Sequence, residues 1–211
     1  MADDDIIRAG AVILKDLALF DKAVVFFETK IYPSICNAVY SLIKDWAEKN
    51  EWKTDWTKSE SSLKEIELWP TNWEPVKDEF IAWFDFAYRN IYEDESYEVA
   101  NFFNAGQTGF GFRFNPQYVS FCGAREWNNF IRTNITNQID QLAKSGWVHE
   151  GKGIFFRPLP LASDGLVSAW ENEDWSQVLA PLTETLNSMK ADKEVFDSIF
   201  NKLKQMYKPE G

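Results

Sequence analysis

Few side chains in this sequence belong to the types that carry out nucleophile or metal chemistry. The 211 residues include two cysteines, Cys36 and Cys122, and one histidine, His149. Neither cysteine lies in a CxxC pair, and a structural zinc site needs four Cys or His ligands. A Ser/His/Asp or Cys/His triad would have to use His149, which we expect in an exposed turn after the helix-capping Gly146. These residue types therefore predict no catalytic residue and no metal site.

One stretch, residues 14–30, combines two carboxylates and a lysine around an apolar run. Asp16 precedes an apolar run that ends in Glu28 and Lys30. A β-hairpin here would place Asp16 opposite Glu28, with Lys30 on the same face. The same stretch also reads as a helix, so hairpin and helix remain alternatives.

This pattern resembles the core signature of the PD-(D/E)XK nucleases, which is short and degenerate. The resemblance implies that Asp16 and Glu28 hold Mg²⁺ and that Lys30 helps to position or activate the attacking water. A Mg²⁺-dependent nuclease is therefore the alternative functional hypothesis. Two features oppose it: only 15 residues precede Asp16, where the family has a helix, and the chain lacks the basic channel that a nucleic-acid hydrolase needs.

The charge balance limits the classes of partner. The formal net charge is −11, whereas generic binding to nucleic-acid phosphates or to anionic membranes needs a basic surface. An acidic balance favours solubility, or a basic protein partner whose approach it accelerates. The acidic N-terminus is unlike a secretory signal, and no run reaches the roughly 18 apolar residues of a membrane span. We therefore predict a cytoplasmic protein with a protein partner and no direct contact with nucleic acid or membrane.

Aromatic residues are abundant, with 10 Trp, 17 Phe and 7 Tyr. Aromatic rings fill protein cores, but they are also enriched at interfaces together with arginine. In the first interpretation the rings close the sheet and the arginine stems lie along it. In the second, some of them form a recognition surface on the predicted strands and the loop at 70–77. The binding residues predicted on that basis are Trp69, Trp73, Trp83, Phe110, Phe112, Arg113 and Arg157.

The elements that must position these residues run from helices through strands to helices. Apolar clusters recur at helical spacing over 4–30, and a second helix begins near Pro33 and ends near Asn50. Strand-like segments follow around 51–57, 62–69, 78–90, 96–103 and 106–114. An amphipathic helix over 124–144, a short strand over 154–157 and C-terminal helices after Asp174 complete the chain.

Strands that cluster in mid-chain, instead of alternating with helices, are typical of the α+β class. We predict an N-terminal helical hairpin, a central mainly antiparallel sheet and C-terminal helices. The chain is then one domain over 1–211, and 1–50 could form a helical subdomain.

A second resemblance covers residues 5–205 and concerns element order and aromatic placement. The strand GFGFRF at 109–114 and the segment IFFRPL at 154–159 carry it. This arrangement is similar to the accessory C-terminal domain that follows the catalytic core in some bacterial PD-(D/E)XK family proteins. The resemblance implies a non-catalytic domain from bacterial or phage defence, and it transfers no functional residues.

The leading functional hypothesis is thus a non-catalytic, acidic protein-interaction module. Such a module could be an inhibitor, immunity or anti-defence protein that acts on a nucleic-acid-binding partner. An inhibitor that imitates nucleic-acid charge would array carboxylates on one face; the candidates are Glu65, Glu67, Glu74, Asp78, Glu79, Glu93, Asp94, Glu95 and Glu98. A small ligand in an aromatic cleft is a third hypothesis. No cofactor is predicted, apart from Mg²⁺ under the nuclease alternative.

Overall fold

The computed structural model describes residues 2–56, 62–63, 66–73, 81–89, 97–106 and 109–207, with side chains from Ile7 onward except that of Ser120. The helices are α1 (Ala2–Lys15), α2 (Leu17–Phe26), α3 (Tyr32–Lys49), α4 (Glu98–Phe102), α5 (Ala124–Asn134), α6 (Thr136–Lys144), α7 (Leu166–Glu171) and α8 (Ala180–Met206). The strands are β1 (Trp52–Asp55), β2 (Glu67–Pro70), β3 (Ala82–Tyr88), β4 (Phe110–Pro116), β5 (Val148–Gly151) and β6 (Ile154–Pro158). A π-helical turn (Phe27–Ile31) and the 3₁₀ turns Thr71–Trp73 and Tyr118–Ser120 also lie within the described residues.

The strands form one six-stranded sheet in the order β1-β2-β3-β4-β6-β5, and all neighbouring pairs are antiparallel. Helices precede and follow the sheet in the chain, so the predicted α+β class is confirmed. The predicted alternation in β4 is also confirmed. Phe112 pairs with Phe86 and Phe114 pairs with Phe84, and this register places four rings on one face of the sheet.

Helix α8 covers this aromatic face. The Phe196 ring stacks on Phe114 at 4.4 Å between centroids and meets Phe84 edge-on at 5.4 Å. All three side chains are at most 1% exposed. Offset and edge-to-face contacts between rings stabilise beyond the area that they bury, so these rings form the centre of the hydrophobic core.

Three buried tryptophans fix the position of α8 through their indole N–H groups. Trp46 donates to Asn187 at 2.8 Å, Trp73 to Asp197 at 2.6 Å and Trp147 to Asp192 at 2.9 Å. A buried N–H without an acceptor is costly, and each hydrogen bond contributes about 1 kcal/mol net. Much of the tryptophan content is therefore structural, as the first interpretation of the composition proposed.

The opposite face of the sheet carries polar side chains. In one row across the strands Glu67 pairs with Asp85, and Asp85 pairs with Arg113. Burial raises the pKa of Asp85 to about 6, against the lowering effects of a hydrogen bond from Asn115 and the charge of Arg113. The two faces of one sheet thus differ, one closed by rings and one holding a partly buried carboxylate.

Three predicted elements differ in the structure. The segment 96–103 contains helix α4 instead of a strand, because Val99 and Phe102 bury one face at helical spacing. The predicted helix over 124–144 is divided into α5 and α6 at Ile135, whose backbone leaves the helical region. Its apolar stripe, which includes Trp127 and Leu142, is buried as expected.

The third difference is strand β5, which contains His149. We expected an exposed turn there, but the turn lies two residues later, where Gly151, Lys152 and Gly153 all have positive φ. The His149 imidazole is half-buried and stacks on Phe155 at 4.9 Å. This burial lowers the pKa of His149.

Candidate interaction surface

Residues 2–31, here called the arm, form the N-terminal part of the molecule. Helix α1 ends at Lys15, and the backbone of Asp16 then leaves the helical conformation. The Asp16 carboxylate accepts a hydrogen bond from the Leu19 N–H at 3.2 Å, so it caps the first turn of α2. In place of the predicted hairpin, α2 continues through the π turn into α3, where the Tyr32 N–H bonds to the Phe27 carbonyl five residues back.

The large apolar side chains of α1 and α2 are exposed. Nine of them are between 37% and 72% exposed: Ile7, Val12, Ile13, Leu14, Leu17, Leu19, Phe20, Val25 and Phe26. Helix α2 buries none of its residues, and Asp21 and Lys22 are the charged residues among its ten. A helix that is apolar around most of its circumference is normally buried, so the surroundings of α2 do not match its sequence.

The apolar residues of α1 follow helical spacing. Positions 6, 7, 10, 13 and 14 fall on one side, and the charged positions 4, 8 and 15 fall on the other. In α2 a shallow groove is lined by Leu17, Ala18, Phe20, Asp21 and Val24. The arm therefore offers an apolar stripe on α1 followed by an apolar groove on α2.

The exposed apolar area of the arm is similar in size to the area that one partner buries in a protein–protein interface. At these exposures each of the nine side chains leaves on the order of 100 Å² in contact with solvent, or roughly 900 Å² together. The largest apolar patch on a monomeric protein is typically about 300–600 Å². Each partner in a standard protein–protein interface buries about 800 Å², so the arm is large enough to be one.

Aromatic contacts attach the base of the arm to the rest of the molecule. Phe26 meets Trp170 of α7 edge-on at 5.9 Å, and Phe27 meets Tyr97 edge-on at 5.6 Å. The Tyr32 hydroxyl donates to Glu98 of α4. These contacts hold the start of α3, while the more N-terminal residues of the arm keep their apolar faces in solvent.

A polar cluster surrounds this attachment point. The Ser62 hydroxyl donates to the Glu98 carboxylate at 3.2 Å, beside Tyr32. Burial and the Glu98 charge raise the pKa of the Tyr32 hydroxyl far above its usual value, and burial raises the pKa of the Cys36 thiol to about 11. Cys36 is fully buried, so its thiol is protonated and unreactive at neutral pH.

Most of the aromatic residues predicted to bind a partner lie in the core. Trp69 is 8% exposed, Trp73 is 1% exposed, and Phe110 and Phe112 are 0% exposed. Trp83 on β3 is half-buried. Four of these five rings are thus part of the hydrophobic core of the single chain.

The two predicted arginine anchors have partners within the molecule. Arg113 donates to the Tyr88 carbonyl at 2.7 Å and lies 3.4 Å from the Glu150 carboxylate. Arg157 donates to the Ser145 carbonyl and pairs with Asp192 at 3.4 Å. Their guanidinium groups thus have hydrogen-bond and charge partners within the fold.

The β-hairpin predicted for the nuclease alternative is wrong. Asp16 is the cap of α2, and Glu28 and Lys30 are exposed residues of the π turn. The physical reason is that an Asp side chain accepts backbone N–H bonds at a helix start, and this stabilises the helix over the extended alternative. Within the described residues no group of three or more His, Cys, Asp or Glu could hold a metal ion.

Two of the carboxylates proposed to imitate nucleic-acid charge can be located. Glu67 is half-buried on β2, and Glu98 accepts hydrogen bonds at the start of α4. The other candidates, Glu65, Glu74, Asp78, Glu79, Glu93, Asp94 and Glu95, lie outside the described residues. The mimicry hypothesis therefore stays a prediction.

Comparison of the chain with protein-family models, curated proteins and solved structures found no match. The resemblance to an accessory nuclease domain accordingly stays a prediction from element order. In the part of the chain that the structure describes, no helix is both long and apolar enough to cross a membrane.

Sequence reasoning placed the candidate binding surface on the sheet and did not single out the exposed apolar side chains of the arm. The available signal was the composition of 17–26, where eight of ten residues are apolar and no polar face exists. A helix that packs on the core with one side and borders solvent with the other normally has a polar face. Its absence in a segment near the chain start indicated a helix that another surface must cover.

Proposed function

We propose that this protein is a non-catalytic protein-interaction module and that the arm is its binding element. The observation that carries the proposal is the set of nine exposed large apolar side chains on α1 and α2. Burying about 900 Å² of apolar surface is worth on the order of 20 kcal/mol before the costs of association are subtracted. Exposure of this size in solvent disfavours the free state and favours a bound one.

The form of the surface supports a protein as the ligand. Small-molecule sites are concave and enclose most of the ligand, whereas the arm presents helix faces and a shallow groove. The arm also contains six acidic and four basic residues over 2–31, so it lacks the basic excess of a nucleic-acid-binding helix. An apolar helix of this kind binds by laying its face against another helix or into a groove.

The biological role of the module is also part of this proposal. An inhibitor, immunity or anti-defence protein that acts on a basic, nucleic-acid-binding partner is consistent with the net charge of −11, which would accelerate association with such a partner. The nuclease alternative has lost its supporting geometry, because Asp16 caps a helix and does not face Glu28 across a hairpin.

A matched pair of variants tests the proposal. The arm variant combines Leu14→Ser, Leu17→Ser and Phe20→Ser, and the control combines Val119→Ser with Val167→Ser. The two control valines are 73% and 72% exposed but lie outside the arm. Each tagged protein is purified from cells that also express the untagged chain, and the bound proteins are identified by mass spectrometry.

We expect at least one protein, an untagged copy of the chain included, to bind the wild type and the control but not the arm variant. Binding of that protein in purified form is then measured by calorimetry, with a loss of at least about tenfold in affinity for the arm variant. Equal recovery with the arm variant and the control would contradict the proposal.

A further inference from the structure

When two copies of α1 are aligned antiparallel, the apolar positions of one copy face the apolar positions of the other. We infer that the protein bound by the arm is a second copy of this chain, with the two α1 helices packed antiparallel about a two-fold axis at Gly10. This inference rests on the proposed function and names the occupant of the same surface. A two-fold interface uses one patch twice, so the patch must complement itself.

The register about Gly10 matches apolar positions with apolar positions. An axis there places residue i of one copy opposite residue 20 − i of the other, so Ile7 meets Ile13 and position 6 meets Leu14. Ile7, Ile13 and Leu14 are 67%, 37% and 72% exposed in the single chain. The antiparallel pairing would cover each of them with an apolar residue from the second copy.

Neither the packing nor the backbone conformation of the single chain requires a glycine at position 10, the centre of this stripe. A Cβ atom built at Gly10 would have nothing within 4 Å, and its φ is not in the left-handed region. Glycine inside a helix costs about 1 kcal/mol relative to alanine. A glycine that the monomer does not need, placed where two helices would cross, lets their backbones approach closely.

The charges at the two ends of α1 are opposite. The sequence starts with Asp3, Asp4 and Asp5 and ends the helix with Lys15. Antiparallel packing places the acidic start of one copy and Lys15 of the other at the same end of the helix pair, whereas parallel packing places the two acidic starts together. Lys15 lies off the apolar stripe, so this preference acts without direct contact, and repulsion between the like charges disfavours the parallel arrangement.

The α1 stripe gives this dimer a small interface. Ile7, Ile13 and Leu14 together expose roughly 300 Å² in each copy, so the pair covers about 600 Å² of apolar surface, which is the size of a weak, concentration-dependent contact. The two whole chains repel each other, since each carries a net charge of −11. Added salt screens this repulsion, so salt strengthens the dimer, whereas it would weaken the binding of a basic partner.

Cysteine placement tests the two-fold arrangement in the full chain. In a Cys122→Ser background, which removes the half-buried native thiol, Gly10→Cys is compared with Leu14→Cys under mild oxidation. At an antiparallel crossing the two residues 10 meet, and a disulfide requires Cα atoms within about 7 Å. The two residues 14 are separated by eight positions along the axis, about 12 Å, so we expect cross-linking from position 10 and little from position 14.

Sedimentation analysis supplies the second measurement. We expect a dimer for the wild type and for Val167→Ser, which changes a residue of α7 that is 72% exposed and lies outside the arm. We expect Gly10→Leu to dimerise at least about tenfold more weakly, with an unchanged circular dichroism spectrum because open space surrounds Gly10. Dimerisation should increase with salt.

A monomeric wild type at all concentrations would overturn the inference. It would leave the proposed function intact if the arm variant still lost a different protein in the capture experiment. Equal cross-linking at positions 10 and 14 would indicate parallel packing and would overturn the two-fold arrangement.

Discussion

The arm and helix α8 contain similar apolar residues at helical spacing in opposite surroundings. In α8, Leu182, Leu186 and Phe196 are 0% exposed, whereas the large apolar residues of the arm are 37–72% exposed. Periodicity predicts which face of a helix is apolar. It does not predict whether the surface that covers this face belongs to the same chain.

Polar contacts explain why α8 is covered and the arm is not. Helix α8 places Asn187, Asp192 and Asp197 where three indoles from other elements can donate to them. The described polar side-chain bonds within the arm are local, such as Thr29 to the Val25 carbonyl at 2.7 Å. The body thus specifies the position of α8 and leaves the apolar side chains of the arm exposed.

The largest contrast is expected from the same truncation in the two regions. Phe196→Ala removes a ring that contacts Phe84 and Phe114, and we expect it to lower the free energy of unfolding by about 3–5 kcal/mol. Phe20→Ala removes a ring that is already 43% exposed, with an expected loss below about 1 kcal/mol. Urea unfolding at a concentration where the chain is monomeric measures both. Similar losses would mean that the arm packs on the body.

The next largest effect on stability is expected from the polar contacts that hold α8 in place. Asp192→Ala removes the acceptor of Trp147 and leaves the Arg157 guanidinium without its ion pair. We expect a loss of about 3 kcal/mol, since an uncompensated buried charge and an unsatisfied N–H remain. The control is Asp140→Ala on α6, which is exposed and should change stability by less than about 0.5 kcal/mol. Thermal unfolding compares the two variants, and equal effects would contradict the role of Asp192.

A smaller, pH-dependent effect is expected on the other face of the sheet. Burial raises the pKa of Asp85 to about 6 from its usual 3.8. The folded chain therefore holds a proton between pH 4 and pH 6 that the unfolded chain has lost, and stability falls as pH rises through this range. We expect Asp85→Asn, which imitates the protonated form, to be stabilising by about 2–3 kcal/mol at pH 7 and neutral near pH 4. A variant effect that is independent of pH would contradict the raised pKa.

The strand β4 and the helix stripes were predictable because their residues follow local periodicity. The burial of Trp73 and the pairing of Arg157 were not, since Trp73 bonds to Asp197 and Arg157 to Asp192 far along the chain. Strand β5 was not predictable because its pairing with β6 and the positive-φ turn at 151–153, not its own residue pattern, determine its extended conformation. The apolar composition of 17–26 indicated a helix that needs a covering surface, but no local pattern shows whether the body of the same chain supplies that surface.

Photo-cross-linking in living cells tests the central claim most directly. A photoreactive amino acid replaces Leu17 in the arm or, as the matched control, Val167 on α7; these residues are 56% and 72% exposed. We predict a discrete cross-linked protein from position 17, whether a second copy of the chain or another partner, and none from position 167. Cross-linking from position 17 that does not exceed that from position 167 would contradict the claim that the arm is an interface.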